Sequence, residues 1–356
     1  MWRYFSAFSN VGIGEAFAEE NGFKCVLANE YDVNRACWFQ QAHPSAKMVC
    51  GDFTDPKVFY KLVKLFKSKK CHAAFFSPCC QPFCRAGGQH LDSPAAFYFL
   101  YVLEFIKQTM PLVGMIENAH EFPKAILGDD PRPIQERIFT FLEKLGYSVK
   151  MEIQDAVDYG SPQSRKRAVF TFSRIGEVAF PKKVSVHKTV KETIGHLPPL
   201  LAGEHSSIPF HYAPPMPKVQ ADCMIGVLPG ERSEYPVDRY GNPKLNAPGY
   251  TFRRIPDVKH SPTILQNSDQ ITGYSTIHYR DNRCLTIKEI ILLSGLNDNW
   301  YIPPCFRSCT RFIRAVLGEA YLPHHFLANL QEIKKVLQKW EKKKVKNNLP
   351  SHSKTG

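Results

Sequence analysis

The chain has 356 residues and a formal net charge of +13, long enough for one large domain with an insertion or for two domains. Its excess of Lys and Arg suits a polyanionic partner such as nucleic acid, the plainer reading being a basic enzyme with no such partner. Eleven cysteines with no secretory leader read as reduced thiols of an intracellular, non-secreted protein, and no apolar run of about 18 residues is present to span a membrane.

Over residues 4–173 short apolar runs alternate with helical patterns. Tyr4–Phe8, Lys24–Asn29, Lys47–Cys50, Ala73–Ser77, Val113–Asn118, Ser148–Asp155 and Ala168–Ser173 predict strands. Glu15–Glu20, Val33–Gln41, Pro56–Phe66, Pro94–Gln108 and Pro133–Leu145 predict helices. The alternation implies βαβ units and an α/β fold built on a doubly wound, mostly parallel sheet. From about Arg174 to residue 282, Pro198-Pro199, Pro214-Pro215, Pro229-Gly230 and Pro248-Gly249 break every long period. That stretch predicts a smaller, irregular region with short strands, its core drawing on Tyr212, Tyr235, Tyr240, Tyr250, Phe252 and Ile264. Helices return at Thr286–Leu293 and Arg311–Leu317. A last one, Pro323–Lys343, sets Leu327, Leu330, Ile333, Val336, Leu337 and Trp340 at helical spacing. Residues 283–345 are therefore expected to return to the first domain (1–173), with 346–356 a flexible tail.

Ligands of an open α/β sheet sit beyond the carboxyl ends of its strands, and several predicted strand ends carry chemistry. Phe8-Ser9-Asn10-Val11-Gly12-Ile13-Gly14 joins the first strand to a helix, where small residues let a ligand approach the backbone. Glu30 ends the second strand, placed to bond a ribose, and Asp52 follows the third, placed to accept from an adenine amino group. Together they outline a nucleoside-type cofactor pocket; no Gly-Lys-Ser/Thr phosphate loop argues for ATP. After the fourth strand comes Ser77-Pro78-Cys79-Cys80-Gln81-Pro82-Phe83-Cys84, followed by the paired Gly87-Gly88. Its thiols are either buried core cysteines or a nucleophile with a covering loop. Glu117 ends the next apolar run, as a proton donor to a ring nitrogen or as a surface carboxylate. Arg165 and Arg167, alternating at a strand start, point to one side and can hold a phosphate or a base oxygen; a solvated edge is the plainer reading. The cysteines lack the paired Cys-x-x-Cys spacing of a zinc site, so no metal is expected.

These segments, in this order, resemble the DNA cytosine-5 methyltransferases. Phe8–Gly14 is similar to the family's Phe-x-Gly-x-Gly-Gly turn, Asn29-Glu30-Tyr31-Asp32 to its ribose-binding strand end, and Gly51-Asp52-Phe53 to its adenine site. Pro78–Phe83 resembles the Pro-Cys-Gln-x-Phe nucleophile loop, Glu117-Asn118 the Glu-Asn-Val motif, and Gln163, Arg165 and Arg167 the Gln-x-Arg-x-Arg motif. Arg283-Cys284-Leu285-Thr286 with Glu289 resembles the helix after the recognition domain, and Gly318–Pro323 the closing Gly-Asn-Ala-Val-Pro-Pro. The resemblance covers 1–173 and 283–330; residues 174–282 fall where the family carries its variable target-recognition domain. Departures are Asn10 and Ile13 for glycines, Cys79 for Pro, Cys84 for Ser, Ala119 for Val, Glu319 for Asn, and Ser93-Pro94 within the usual Asp-Ser-Arg-Gly.

The resemblance implies a Rossmann-like methyltransferase fold. It also implies transfer of a methyl group from S-adenosyl-L-methionine to carbon 5 of a flipped cytosine in double-stranded DNA. It assigns Cys80 as nucleophile at carbon 6, Glu117 on ring nitrogen 3, and Arg165 and Arg167 as further catalytic residues, with Arg167 on the ring oxygen. Cofactor contacts fall to Phe8, Ser9, Asn10, Val11, Gly12, Glu30, Tyr31, Asp52, Phe53, Pro78, Glu319 and Ala320, and substrate contacts to Gln81, Arg85 and Gln163. Cys79, pointing away from Cys80 in extended chain, is expected to pack inward and stay inert. The expected protein is a monomer with no membrane partner, in the cytoplasm of a prokaryote or its virus, or in a nucleus, with restriction-modification as a setting. RNA cytosine methylation and a catalytically silent DNA-binding relative are the alternatives.

Overall fold

The computed structural model describes residues 1–84 and 90–348. Seven strands form one sheet in the order β3-β2-β1-β4-β5-β7-β6: β1 (Trp2–Ala7), β2 (Phe23–Glu30), β3 (Lys47–Cys50), β4 (Ala73–Phe76), β5 (Val113–Ala119), β6 (Ser148–Asp155) and β7 (Lys166–Ser173). Only β7 runs antiparallel, against both β5 and β6. The strand order reverses between β1 and β4, which places a ligand crevice there, beyond Ala7 and Phe76.

Period-two alternation splits the strands between two cores. Phe5, Ala7, Ala74 and Phe76 face one side, under α2 (Pro56–Ser68), α3 (Tyr98–Thr109) and α4 (Ile134–Lys144). There the Phe105 ring meets Phe5, Phe53, Phe59, Phe66 and Phe76 at centroid distances of 5.0, 5.6, 5.8, 5.7 and 5.9 Å. Tyr4, Phe23, Ala73 and Phe75 face the other side with Phe39 of α1 (Val33–Ala42) and with Phe326, Leu330, Ile333 and Leu337 from the last helix. Caps start the helices: Asp32 accepts from the backbone of Asn34 and Arg35, and Asp55 from Lys57, with Pro56 in the first turn.

Two expected helices come out differently. Glu15–Glu20 shrinks to a 3-10 turn, Gly14–Phe17. Gly12 and Gly22 sit at φ 82° and 87°, so both ends of the segment turn sharply, and Glu15 is pulled inward to accept from the Ser6 hydroxyl. Pro94–Gln108 divides into a 3-10 turn, Pro94–Phe97, and α3.

Residues 174–282 hold two short helices, α5 (Val190–Ile194) and α6 (Lys218–Asp222). The expected short strands reduce, among the described residues, to isolated bridges such as Arg232 with Arg253 and Arg254 with Ile277. The small core is Met224, Phe252, Ile271, Ile277 and Cys284. Tyr235 and Tyr240 are instead 78% and 79% exposed, and Tyr212 and Tyr250 are exposed as well. Polar bonds rather than these rings hold that interior: the Arg254 guanidinium is buried there and donates to the carbonyls of Met224, Val227, His278 and Asp281. Ile264 is buried, but in a separate cluster. That cluster joins α5 to α7 (Ile287–Leu293), α8 (Thr310–Glu319), Val11, Ile13 and Trp38. The final helix, α9 (Pro323–Asn348), lies back on the sheet and extends past the expected start of the tail at 346; residues 349–356 lie outside the described residues.

Candidate active site

Parallel register sets the rim. Ala7 pairs with Phe76, and Phe76 with Ile116, so the next residues, Phe8, Ser77 and Glu117, emerge in one row at the crevice. Pro78 ends the β4 ladder. Asn118 then donates from Nδ2 to the Pro78 carbonyl at 3.0 Å, tying the following loop to β5. Cys80 opens a single 3-10 turn, Gln81–Phe83. Gln81 is exposed at its start. Arg85 and the Gly87-Gly88 pair lie outside the described residues.

The Cys80 thiol is held well below its ordinary range, to about 6, by a hydrogen bond from Cys84 and by the nearby charges of Arg167 and Arg165, which together outweigh burial and the Glu117 carboxylate. Cys84 shifts the other way, pushed up by the same bond. Cys79 is half-buried and faces the side of Tyr98, Glu319 and Arg35; burial pushes its thiol up. It therefore borders the crevice rather than the core interior, with the raised pKa expected for an inert thiol.

Glu117 is buried and held on both oxygens. Arg167 Nε reaches Oε1 at 2.7 Å, and the Ser77 hydroxyl donates to Oε2. The first pair follows from register: Glu117 faces Val169 on the antiparallel neighbour, and Arg167 lies two residues along on the same face. Arg165 is buried too, donating to the carbonyls of Gly318 at 2.9 Å and Ile264 at 3.4 Å, with Nε left without a partner. Burial lowers its guanidinium to about 9, still charged at neutral pH. Behind Arg167, His325 of α9 donates from Nε2 to Gln154 at 2.7 Å. Burial and the Arg167 charge hold His325 down at about 3, so it is neutral.

The turn after β1 is wound left-handed at Phe8, Asn10 and Gly12. Glu30 caps it: its carboxylate accepts from the backbone of Asn10 at 2.8 Å, Tyr31 at 2.9 Å and Asp32 at 3.0 Å. Phe8 stacks on Tyr98 with centroids 5.9 Å apart and tilts against Phe53, forming an aromatic wall; Tyr31 stands exposed nearby. Asp52 accepts from the Thr54 amide and hydroxyl. At Gly12 the positive φ of 82° favours glycine, and a Cβ there would also lie 2.5 Å from His43 Nε2. Ser9 bonds the Asn29 carbonyl, and Val11 and Ala320 are buried. Glu319 pairs with Arg35 at 2.5 Å and accepts from Gln266. Two buried polar atoms here have no hydrogen-bond partner among the described residues: the acceptor Asn10 Oδ1 and the donor Arg35 Nε. One unpaired acceptor and one unpaired donor beside a carboxylate-capped turn match the ammonium and carboxylate of an amino-acid-bearing nucleoside, so the residues fit S-adenosylmethionine. Among the described residues no group of His, Cys, Asp and Glu is arranged to hold a metal ion.

The family model for C-5 cytosine-specific DNA methylases matches residues 2–313. The chain belongs to this family. Its reaction is methyl transfer to carbon 5 of cytosine in DNA. Type II methyltransferase M1.HgaI of Avibacterium volantium is 31% identical, covering 89% of this chain and 94% of that protein. Type II methyltransferase M1.HphI of Haemophilus parahaemolyticus is 27% identical over 83% and 78%. In fold, the chain matches a DNA modification methyltransferase from an Escherichia coli prophage with a TM-score of 0.71 at 17% identity, covering 95% of this chain and all of that one. It also matches a variant of Spodoptera frugiperda DNMT2 with a TM-score of 0.63 at 14% identity, over 95% and 100%.

Within this cytosine methylase the structure brings Cys80, Glu117, Arg165 and Arg167 together at one rim. Gln163 does not reach that opening: it is buried, its amide donating to Leu293 O and accepting from Ile264 N, so it joins the β7 approach to the second region. Sequence reasoning missed Ser77, Arg35 and the bond from Cys84. Register was the available signal for Ser77, since it follows β4 as Glu117 follows Ile116.

Proposed function

We propose that this methylase draws its methyl group from S-adenosylmethionine and works through a covalent Cys80 adduct on a flipped cytosine in double-stranded DNA. The observation that carries this is the depressed Cys80 thiol beside a Glu117–Arg167 pair at the crevice rim. The cofactor, when bound, supplies the methyl group. Glu30 would hold its ribose, Asp52 its adenine, Asn10 Oδ1 its ammonium and Arg35 Nε its carboxylate, against the Phe8–Tyr98 wall. Cys80 thiolate attacks carbon 6; a proton from Glu117 goes to ring nitrogen 3 as charge moves onto it, and carbon 5 becomes nucleophilic. Arg167 fixes the Glu117 carboxyl and steadies the ring oxygen, while Arg165 adds positive charge near the thiolate. After methylation, solvent takes the carbon 5 proton, the electron pair re-forms the 5,6 double bond, the carbon 6–sulfur bond breaks to release Cys80 thiolate, and the proton on nitrogen 3 returns to Glu117.

Residues 174–282 choose the DNA site in this reading. Support comes from the exposed Tyr235 and Tyr240, with the Arg239 guanidinium 6.0 Å from the Tyr240 ring centre; aromatic and cationic side chains together suit a nucleic-acid face. Gln163 and Arg165 link that face to the catalytic rim. The protein would act as a monomer, inside a cell, in a restriction-modification setting like that named for type II relatives. Its free cysteines fit a reducing compartment.

DNA carrying 5-fluorocytosine tests the assignment, because fluorine cannot leave as a proton and the adduct persists. Wild type and Cys79→Ala are expected to form it and Cys80→Ala to form none. An adduct that survives loss of Cys80 and disappears with loss of Cys79 reverses the assignment.

A further inference from the structure

Glu117 has two donors of different kinds. The guanidinium of Arg167, 2.7 Å from Oε1, can only donate. A proton placed on Oε1 would face another proton. Ser77, on Oε2, carries a hydroxyl that donates or accepts by rotating about one bond. It donates to Oε2 while the carboxylate is charged and can accept from Oε2–H once the group is neutral. The Ser77 amide is itself anchored, donating to Ala7 O at 3.3 Å, and Asn118 holds Pro78 from the other side. The hydroxyl is thus presented to Oε2 by the ends of three adjacent strands.

We propose that Ser77 is a positioning residue for the reaction: it directs the Glu117 proton to Oε2 and hands it to ring nitrogen 3 of the target cytosine. The inference rests on the roles given above to Cys80 and Glu117. When Cys80 sulfur bonds carbon 6, the electron pair of the 5,6 double bond shifts through carbon 4 onto nitrogen 3. The Oε2–H bond breaks, the N3–H bond forms, and Glu117 is left as carboxylate with Ser77 donating to it again. Elimination of Cys80 reverses these changes. Without Ser77, Oε2 has no partner among the described residues that suits both states, and each proton transfer must reorganise solvent instead.

Two measurements on the full-length protein test this. One is tritium release from DNA labelled at carbon 5 of cytosine, without cofactor, which reports attack by Cys80 with protonation of N3 and leaves methyl transfer out. The other is the split between kcat and KM for DNA methylation. Ser77→Ala is expected to slow tritium release and kcat together, roughly tenfold to a hundredfold, as for losing a hydrogen bond to a charged group, with KM for DNA and thermal unfolding unchanged. Ser77→Thr, which keeps the hydroxyl, is expected to restore both rates. Wild-type rates in Ser77→Ala overturn the proposal. So does a loss that Thr does not rescue, or one accompanied by a raised KM, because either marks Ser77 as merely structural. Cys80→Ala and Glu117→Gln serve as separate controls: tritium release that persists in both refutes the underlying assignment of the site, whatever Ser77 does.

Discussion

Replacing Cys84 with alanine isolates the largest of the influences on the nucleophile. In the native site the Cys80 thiol is held below its ordinary range, to about 6, so far more of it is thiolate at neutral pH than the few per cent of an ordinary thiol. Reactivity due to the thiolate is present above that pKa and lost as pH falls through it. Cys84→Ala removes the hydrogen bond and leaves Arg167 and Arg165 in place, so the pKa should rise only part of the way back. For each unit of rise, the thiolate fraction below pH 6 drops about tenfold. The intrinsic nucleophilicity of that thiolate climbs about threefold, because basicity and nucleophilicity rise together. The net expectation is a rate about threefold lower below pH 6 and about threefold higher above pH 9 for each unit, so the two profiles cross. Alkylation of Cys80 by iodoacetamide, followed by mass spectrometry of its peptide across pH 4.5–9.5, gives both curves. A Cys84→Ala profile that overlays the wild type, or a wild-type midpoint at pH 8 or above, refutes the reasoning.

Asp52→Ala should weaken S-adenosylmethionine binding about tenfold in calorimetry, while Thr54→Ala, which removes only a hydroxyl bonded to Asp52, should not; equal affinities in all three proteins would take Asp52 out of the site. Arg254→Met leaves four carbonyls, two of them in fully buried bonds, without their donor, a loss on the order of 3–5 kcal/mol for breaking a buried charged network. DNA binding should fall away at a temperature where S-adenosylmethionine still binds; concerted loss of both would show that the second region does not melt separately.

The sheet was legible because each strand is a short apolar run closed by a turn, and Lys47–Cys50 and Ser148–Asp155 match to the residue. Site residues were legible where a strand end fixes them. Cys80, Glu117 and Arg167 need only the topology to meet, once β7 returns antiparallel beside β5. Elsewhere, tertiary demands overrode local pattern. Tyr235 and Tyr240 have core-like ring size yet stand exposed, while the interior there is held by Arg254 through hydrogen bonds that no periodicity reveals. Gln163 stands in a motif that reads as facing substrate; its burial depends on Leu293 and Ile264, more than 100 residues away. Arg35, one turn into α1, has nothing in its neighbourhood to announce Glu319 as its partner.

Arg165 bonds Ile264 on one side and Gly318 on the other, and a side chain at Gly318 would collide with Gln266 at 2.4 Å. The guanidinium that lends charge to the nucleophile is therefore also the fastening between residues 264–266 and α8. Residues 264–266 and the charge near Cys80 thus share one anchor, the Arg165 side chain. In the proposed reading, a change in how residues 264–266 sit on DNA would reach the nucleophile through Arg165 and would be felt in turnover as well as in binding.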